Sequence, residues 1–195
     1  MIAFVLLAAG LSERFGSPKA LAVIENQTII ERLQTKILQT SVDKIIIVLG
    51  AHHQLLEPHV FKHKKITSVY NKHYKFGQTS SIQTALKNLP VETKGFFILP
   101  VDFPMIVPLT IEALIREFNN TFDEIIIPTF GDCRGHPPLF HISFKNLILE
   151  LLVSQGLNTV IHQNSSQVRC VEVNDAGVLK TFNTPEEFQK IIQEN

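Results

Sequence analysis

Met1-Ile-Ala-Phe-Val-Leu-Leu-Ala-Ala-Gly10-Leu-Ser-Glu-Arg14-Phe-Gly16-Ser-Pro-Lys19 is the stretch on which the fold turns. It is unbrokenly apolar up to Gly10, and then gives two glycines, serine and two cations in the space of one loop. A run that is apolar at every position, rather than at alternate ones, is expected of a strand buried on both faces in a parallel sheet. Such a start also resembles the apolar region of a secretion signal. No basic residue precedes it, however, and it runs directly into a polar loop and then a helix pattern, so it reads as a buried first strand.

Working outward, Ile45 to Leu49, Phe96 to Leu99 and Ile125 to Ile127 have the same continuous apolar, β-branched character. Between these runs the period becomes helical. Thr28 and Glu31 form a capping box ahead of Ile29, Leu33 and Ile37. Ile82, Ala85, Leu86 and Leu89 make one apolar stripe, and Ile111, Leu114, Ile115 and Phe118 another. Thr184 and Glu187 predict a second capping box, with Pro185 at the first helical position and Phe188, Ile191 and Ile192 facing inward. Strands alternating with helices predict an α/β fold, a Rossmann-like doubly wound and mostly parallel sheet with helices on both faces. The segment Phe130 to Phe140, rich in Gly and Pro, reads as a hairpin or loop excursion over the sheet. No repeat or linker interrupts the pattern, so residues 1–195 read as one domain. In such sheets ligands bind beyond the carboxyl ends of the strands.

Composition narrows the function. Of 195 residues, 45% are hydrophobic, and 18 Lys plus Arg balance 18 Asp plus Glu. That is a globular composition without the basic excess on which nucleic-acid affinity rests. No run approaches the ~18 apolar residues of a membrane span. Two isolated cysteines, Cys133 and Cys170, make neither a disulfide framework nor a cysteine-rich zinc site, and fit a reducing, cytoplasmic compartment. His59 and His63 are spaced i, i+4, but no cysteine and no carboxylate except Glu57 completes a tetrahedral set around them, His52 and His53.

The loop after the first run has the chemistry of a phosphate cradle. Gly10 allows close approach of backbone to ligand, successive N–H groups can meet phosphate oxygens, and Arg14 and Lys19 offer a bidentate fork and a point charge. It is neither a Walker A loop nor a Gly-x-Gly-x-x-Gly fingerprint, and on chemistry alone a solvated loop with two surface cations explains it as well.

The motif Ala8-Ala9-Gly10-x-Ser12-x-Arg14-x-Gly16-x-x-Lys19 resembles the signature of the nucleotidyltransferases typified by the molybdenum-cofactor enzymes, most of all the molybdopterin cytidylyltransferase branch. Gly77-Gln-Thr-Ser80-Ser81-Ile82 is similar to the family's segment beside the nucleotide base, and Pro100-Val101-Asp102-Phe103-Pro104 to its metal-binding aspartate motif. Arg134-Gly135-His136-Pro137-Pro138 is similar to its Gly-His-Pro segment, and Asn183-Thr184-Pro185-Glu186-Glu187 to its C-terminal signature, all in the expected order.

The resemblance implies a nucleotide site formed by Leu7, Ala8, Ala9, Gly10, Ser12, Arg14, Lys19, Ser80, Ser81, Pro100 and Asp102, with Arg14, Lys19 and Asp102 catalytic. It implies Mg²⁺, with Mn²⁺ as the alternative, held by Asp102 and Asn183. His136 is the candidate acceptor-binding residue, against an ordinary turn role between Gly and Pro. Ala9 tilts the base toward cytosine, whereas Asn183, where the cytidylyl branch carries acidic residues, is more typical of the guanylyl branch. Ser80 or Ser81 is also expected to cap the helix that follows. From Pro58 to Val91 there is no acidic residue, while Lys62, Lys64, Lys65, Lys72, Lys75 and Lys87 fall inside; this is a solvated face or a means of steering a phosphorylated acceptor.

The implied reaction is in-line transfer of CMP from CTP to the phosphate of molybdopterin, releasing pyrophosphate. Its implied partners are a nucleoside triphosphate, a phosphorylated small-molecule acceptor, and a molybdoenzyme or its chaperone as recipient of the product. Three other readings stay open: GTP as donor, a sugar 1-phosphate as acceptor, and a nucleotide-binding regulator without catalysis.

Overall fold

The computed structural model describes residues 1–121 and 124–193. Its centre is β1 (Ile2–Ala8), in which every residue is buried. Phe4, Leu6 and Ala8 enter one apolar core and Ala3, Val5 and Leu7 the other, as the two-residue period of a strand requires. After a small hairpin, β2 (Val23–Ile24) and β3 (Gln27–Thr28), the chain enters α1 (Ile29–Leu38), where both halves of the Thr28–Glu31 capping box form.

β4 (Lys44–Leu49) then pairs parallel to β1, and beyond a short α2 (His53–Leu56) strand β5 (Ile66–Tyr70) pairs parallel to β4. From β5 the chain passes through α3 (Gln78–Lys87) and returns as β6 (Gly95–Pro100) on the opposite side of β1. That reversal puts a topological switch point at the carboxyl ends of β1 and β6. The remaining elements are α4 (Pro108–Asn120), β7 (Ile125–Phe130), β8 (Cys133–Arg134), β9 (Leu139–His141), α5 (Lys145–Leu149), α6 (Leu157–Gln163), β10 (Val168–Glu172) and α7 (Pro185–Gln193). The sheet order is β10-β7-β9-β6-β1-β4-β5, with β8 paired to β7. One core packs α1, α4 and α7 against the sheet, the other α3, α5 and α6. The doubly wound, mostly parallel fold is therefore as the sequence implies.

Three local expectations are corrected. Phe130 to Phe140 does open with a hairpin, β7 against β8. It does not then lie over the sheet: Leu139 and Phe140, both fully buried, insert as β9 antiparallel to β6 and β7. Neither Ser80 nor Ser81 caps a helix, because α3 starts at Gln78, where Gly77 at φ +90° turns the chain into it. At α7 the Glu187 backbone N–H donates to Thr184 Oγ1, but the Glu187 carboxylate receives the N–H of Asn183, one residue before the box position. Cys133 and Cys170 are exposed and free. Among the described residues no helix is long and apolar enough to cross a membrane.

Candidate active site

A cavity of about 480 Å³ opens at the switch point. Eleven of the expected residues line it: Leu7, Ala8, Ala9, Gly10, Ser12, Arg14, Lys19, Ser81, Pro100, Asp102 and Asn183. Ser80 and His136 do not.

Its floor is the loop after β1. Ser12 adopts a left-handed conformation (φ +56°), and its carbonyl accepts from the N–H groups of Phe15 and Gly16 at 3.0 and 3.1 Å. The Ser12 hydroxyl oxygen accepts from Lys19 N–H at 3.1 Å, closing the loop on itself. Phe15 anchors it to the core against the rings of Phe182 and Phe188. A Cβ placed on Gly10 would meet no protein atom within 4 Å, so the fold does not demand glycine there, and the free space belongs to whatever fills the cavity.

Sequence reading passed over Gly50, which the fold does demand. A Cβ there would lie 2.5 Å from the Ala9 carbonyl oxygen and 2.8 Å from Tyr74 Cβ. The cue was a glycine directly after the β4 run, where another backbone approaches closely. Gly50→Ala is expected to cost about 1–3 kcal/mol of stability by overpacking and to weaken triphosphate binding by displacing Ala9. Denaturant unfolding and nucleotide titration of the same variant would read both; unchanged values in each would reject the close approach.

Lys19 is the hub. Its ammonium donates to Asp102 Oδ2 (3.2 Å), the Phe182 carbonyl (2.7 Å) and Asn183 Oδ1 (3.0 Å), which engages all three of its N–H donors. Arg14, exposed, donates from Nη2 to the same Asn183 oxygen at 3.0 Å, and its other donors meet no acceptor among the described residues. Asn183 Oδ1 thus faces two cations. Asp102 Oδ1 is buried and has no hydrogen-bond partner among the described residues. A buried carboxylate oxygen left without a partner is the donor a hard divalent cation takes, with substrate oxygens and water completing the shell.

The turn that carries Asp102 is fastened on every side. Val101 N–H donates to the Leu7 carbonyl at 3.0 Å. From α1, Lys36 Nζ donates to the carbonyls of Pro104 and Ile106 at 3.0 and 2.8 Å. Buried Asp175 accepts from Val107 N–H (2.9 Å) and Thr110 Oγ1 (2.7 Å), tying the start of α4 to the same turn. Burial holds the Lys36 ammonium at about 8, well below its ordinary 10.5, with Arg32 adding to the effect. The charged form is the one disfavoured on folding, so the cost is fully present below about 8 and fades as pH rises toward 10.5. The stability of the wild type relative to Lys36→Met should therefore rise between these pH values by up to ~3 kcal/mol. Urea unfolding of both proteins across that range checks this; a flat difference would reject the buried ammonium.

His136 is not among the residues that line the cavity; its ring lies 4.4 Å from that of Phe103. Burial lowers its pKa, the Asp102 carboxylate opposing the shift, and its Nδ1 has no hydrogen-bond partner among the described residues. Of the six lysines in the acid-free stretch, Lys75 lines the cavity, whereas Lys65 donates to the Val42 carbonyl. His59 pairs with Glu31 and His53 packs on Tyr70, and among the described residues no three His, Cys, Asp or Glu side chains cluster as a metal site.

A loop beside a Lys19–Asp102 ion pair, with Arg14 and Lys19 meeting on Asn183, thus lies at the switch point of a doubly wound sheet, where such folds bind their ligands. The chain belongs to the MobA-like NTP transferase domain family, whose model matches residues 4–168. It is 30% identical to a probable molybdenum cofactor guanylyltransferase from Geobacillus sp. (strain WCH70), over 98% of both chains. It is 27% identical to the molybdenum cofactor cytidylyltransferase of Escherichia coli (strain K12), over 94% of this chain and 92% of that one. Among solved structures it is similar to Rv0371c from Mycobacterium tuberculosis H37Rv, with a TM-score of 0.85 at 22% identity over 98% of this chain and 97% of that one. A second structure of Rv0371c, a complex with manganese, matches with a TM-score of 0.82 at 22% identity over 100% of this chain and 99% of that one.

Proposed function

We propose that residues 1–195 act as one nucleotidyltransferase domain that transfers CMP from CTP to the phosphate of molybdopterin. The observation that carries this reading is Lys19, which bridges the Asp102 carboxylate, one oxygen of it unpartnered among the described residues, to the Asn183 oxygen that Arg14 shares, beside the open loop at Gly10. An acceptor phosphate oxygen attacks the α-phosphorus in line, the bond to the bridging oxygen of the β-phosphate breaks, and pyrophosphate leaves. The attacking oxygen is already ionised at neutral pH, so the protein's work is positioning and charge neutralisation.

Arg14, with donors to spare, meets the β- and γ-phosphates along with the loop N–H groups. Lys19 adds its charge to the leaving group while holding Asp102 and Asn183 in place. Asp102 Oδ1 would hold Mg²⁺ or Mn²⁺, which supplies neutralisation of the reacting phosphates. Asn183 spends its carbonyl oxygen on the two cations and so orders them. Ser81 contacts the base, and His136, with its unpartnered nitrogen, is assigned to the acceptor side.

CTP is taken as the donor because Ala8-Ala9-Gly10 resembles the loop of the cytidylyl branch. GTP is the second reading, favoured by the neutral Asn183 and by the guanylyltransferase relative. Pyrophosphate release with Mg²⁺ and molybdopterin, comparing CTP, GTP, UTP and ATP, tests the reading. CTP alone supports it, GTP alone selects the second reading, and silence with all four despite nucleotide binding overturns transfer to molybdopterin.

A further inference from the structure

Asn71 follows β5, is 1% exposed, and makes three hydrogen bonds that fix which way round its amide lies. The backbone N–H of His73 donates to Asn71 Oδ1 at 2.9 Å. An amide NH₂ at that position would set donor against donor, so Nδ2 must face the other way. There it donates to Ser80 Oγ at 2.9 Å and to Ser81 Oγ at 3.0 Å. Both serines therefore accept from Asn71. Ser80 passes its own hydrogen to a carbonyl, Gly77 at 2.8 Å or His73 at 3.0 Å. Ser81 differs: among the described residues no acceptor takes its hydrogen, and it lines the cavity beside Gly77 and Gln78.

We propose that Asn71 is a positioning residue for base recognition: by donating to Ser81 it turns that hydroxyl into a one-way donor for an acceptor atom of the substrate's base, a ring nitrogen or exocyclic carbonyl oxygen. This rests on the nucleotidyltransferase reading and assigns a polarity to one part of its site. A nearly buried hydroxyl without an acceptor is costly to leave unmatched, so a base that supplies one gains affinity and a ligand without a base does not. Asn71→Asp keeps the shape but replaces the NH₂ by an oxygen, which would draw the Ser81 hydrogen toward itself and present lone pairs to the base.

The test compares Kd values for CTP and GTP with that for inorganic tripolyphosphate, all with Mg²⁺, by calorimetry. The proteins are wild type, Ser81→Ala, Asn71→Asp and the double variant. The expected result is a wild type that binds one nucleotide tighter than tripolyphosphate. Each single variant loses about tenfold of that preference, and the double variant loses no more than either single one. Tripolyphosphate affinity stays within about twofold throughout, because the phosphate loop is untouched. An unchanged preference in either single variant overturns the proposal, as does a double loss equal to the product of the single losses. A fall in tripolyphosphate affinity for Asn71→Asp also overturns it, since Asn71 would then be supporting the whole site. A wild type that binds tripolyphosphate as tightly as both nucleotides removes the nucleotidyltransferase reading itself, and the proposal with it.

Discussion

Asp102→Asn is expected to lower pyrophosphate release by about a thousandfold or more, equivalent to roughly 4 kcal/mol of transition-state stabilisation, while the protein stays folded. The substitution keeps the shape of the side chain, and an amide oxygen can still accept from Lys19 Nζ. The turn around it is held by contacts that do not involve the carboxylate: Lys36 on the carbonyls of Pro104 and Ile106, and Asp175 on Val107 and Thr110. The change removes the negative charge that faces Lys19 and the buried oxygen available to a divalent ion. Nucleotide binding should weaken far less than turnover, because the loop and Arg14 are unchanged. Single-turnover pyrophosphate release at saturating Mg²⁺, with thermal unfolding as the control for folding, measures both. Near-normal turnover would remove Asp102 from the mechanism.

That prediction rests on a residue legible in the sequence, and it is instructive why others were not. The central strands were readable because burial on both faces makes them apolar at every position, as β1, β4 and β6 are. The two outermost strands were not. β5, Ile-Thr-Ser-Val-Tyr, and β10, Val-Arg-Cys-Val-Glu, are edges that solvent half covers, so neither carries a continuous apolar run. β9 is three residues long and follows Pro137 and Pro138, which mask it.

At the site, Arg14, Lys19 and Asp102 announce themselves as charges beside glycine or proline after a buried strand. Lys36, Asn71 and Asp175 give no such signal. Lys36 sits in the last turn of α1 with a partner 70 residues away, and Asp175 is 65 residues from Thr110. Their roles exist only once the sheet has brought those segments together. The Ser80–Ser81 pair shows the converse: a sound local rule expected a helix cap, and a buried asparagine just after β5 donates to both hydroxyls.

Lys19→Met is expected to reduce kcat by about a hundred- to a thousandfold, and Lys19→Arg to restore little of it. If only positive charge near the phosphates mattered, arginine would serve. The geometry argues otherwise, because the ammonium draws three oxygens from two segments of the chain to one point: Asp102 from one, and Phe182 and Asn183 from the other, all within 3.2 Å. A planar guanidinium offers its donors in a fixed fork and cannot meet three acceptors converging on a single nitrogen. Removing the ammonium also leaves Asp102 Oδ2 without its cation and the Phe182 carbonyl without its donor, at an expected stability cost of about 1–3 kcal/mol. Arg14→Met provides the contrast. Arg14 shares only Asn183 Oδ1 with Lys19 and is exposed, so its loss should raise KM for the nucleotide more than it lowers kcat. Steady-state kinetics of the three variants separate the roles: if Lys19→Arg turned over like wild type, Lys19 would act by charge alone and the convergence of oxygens on it would have no part in catalysis.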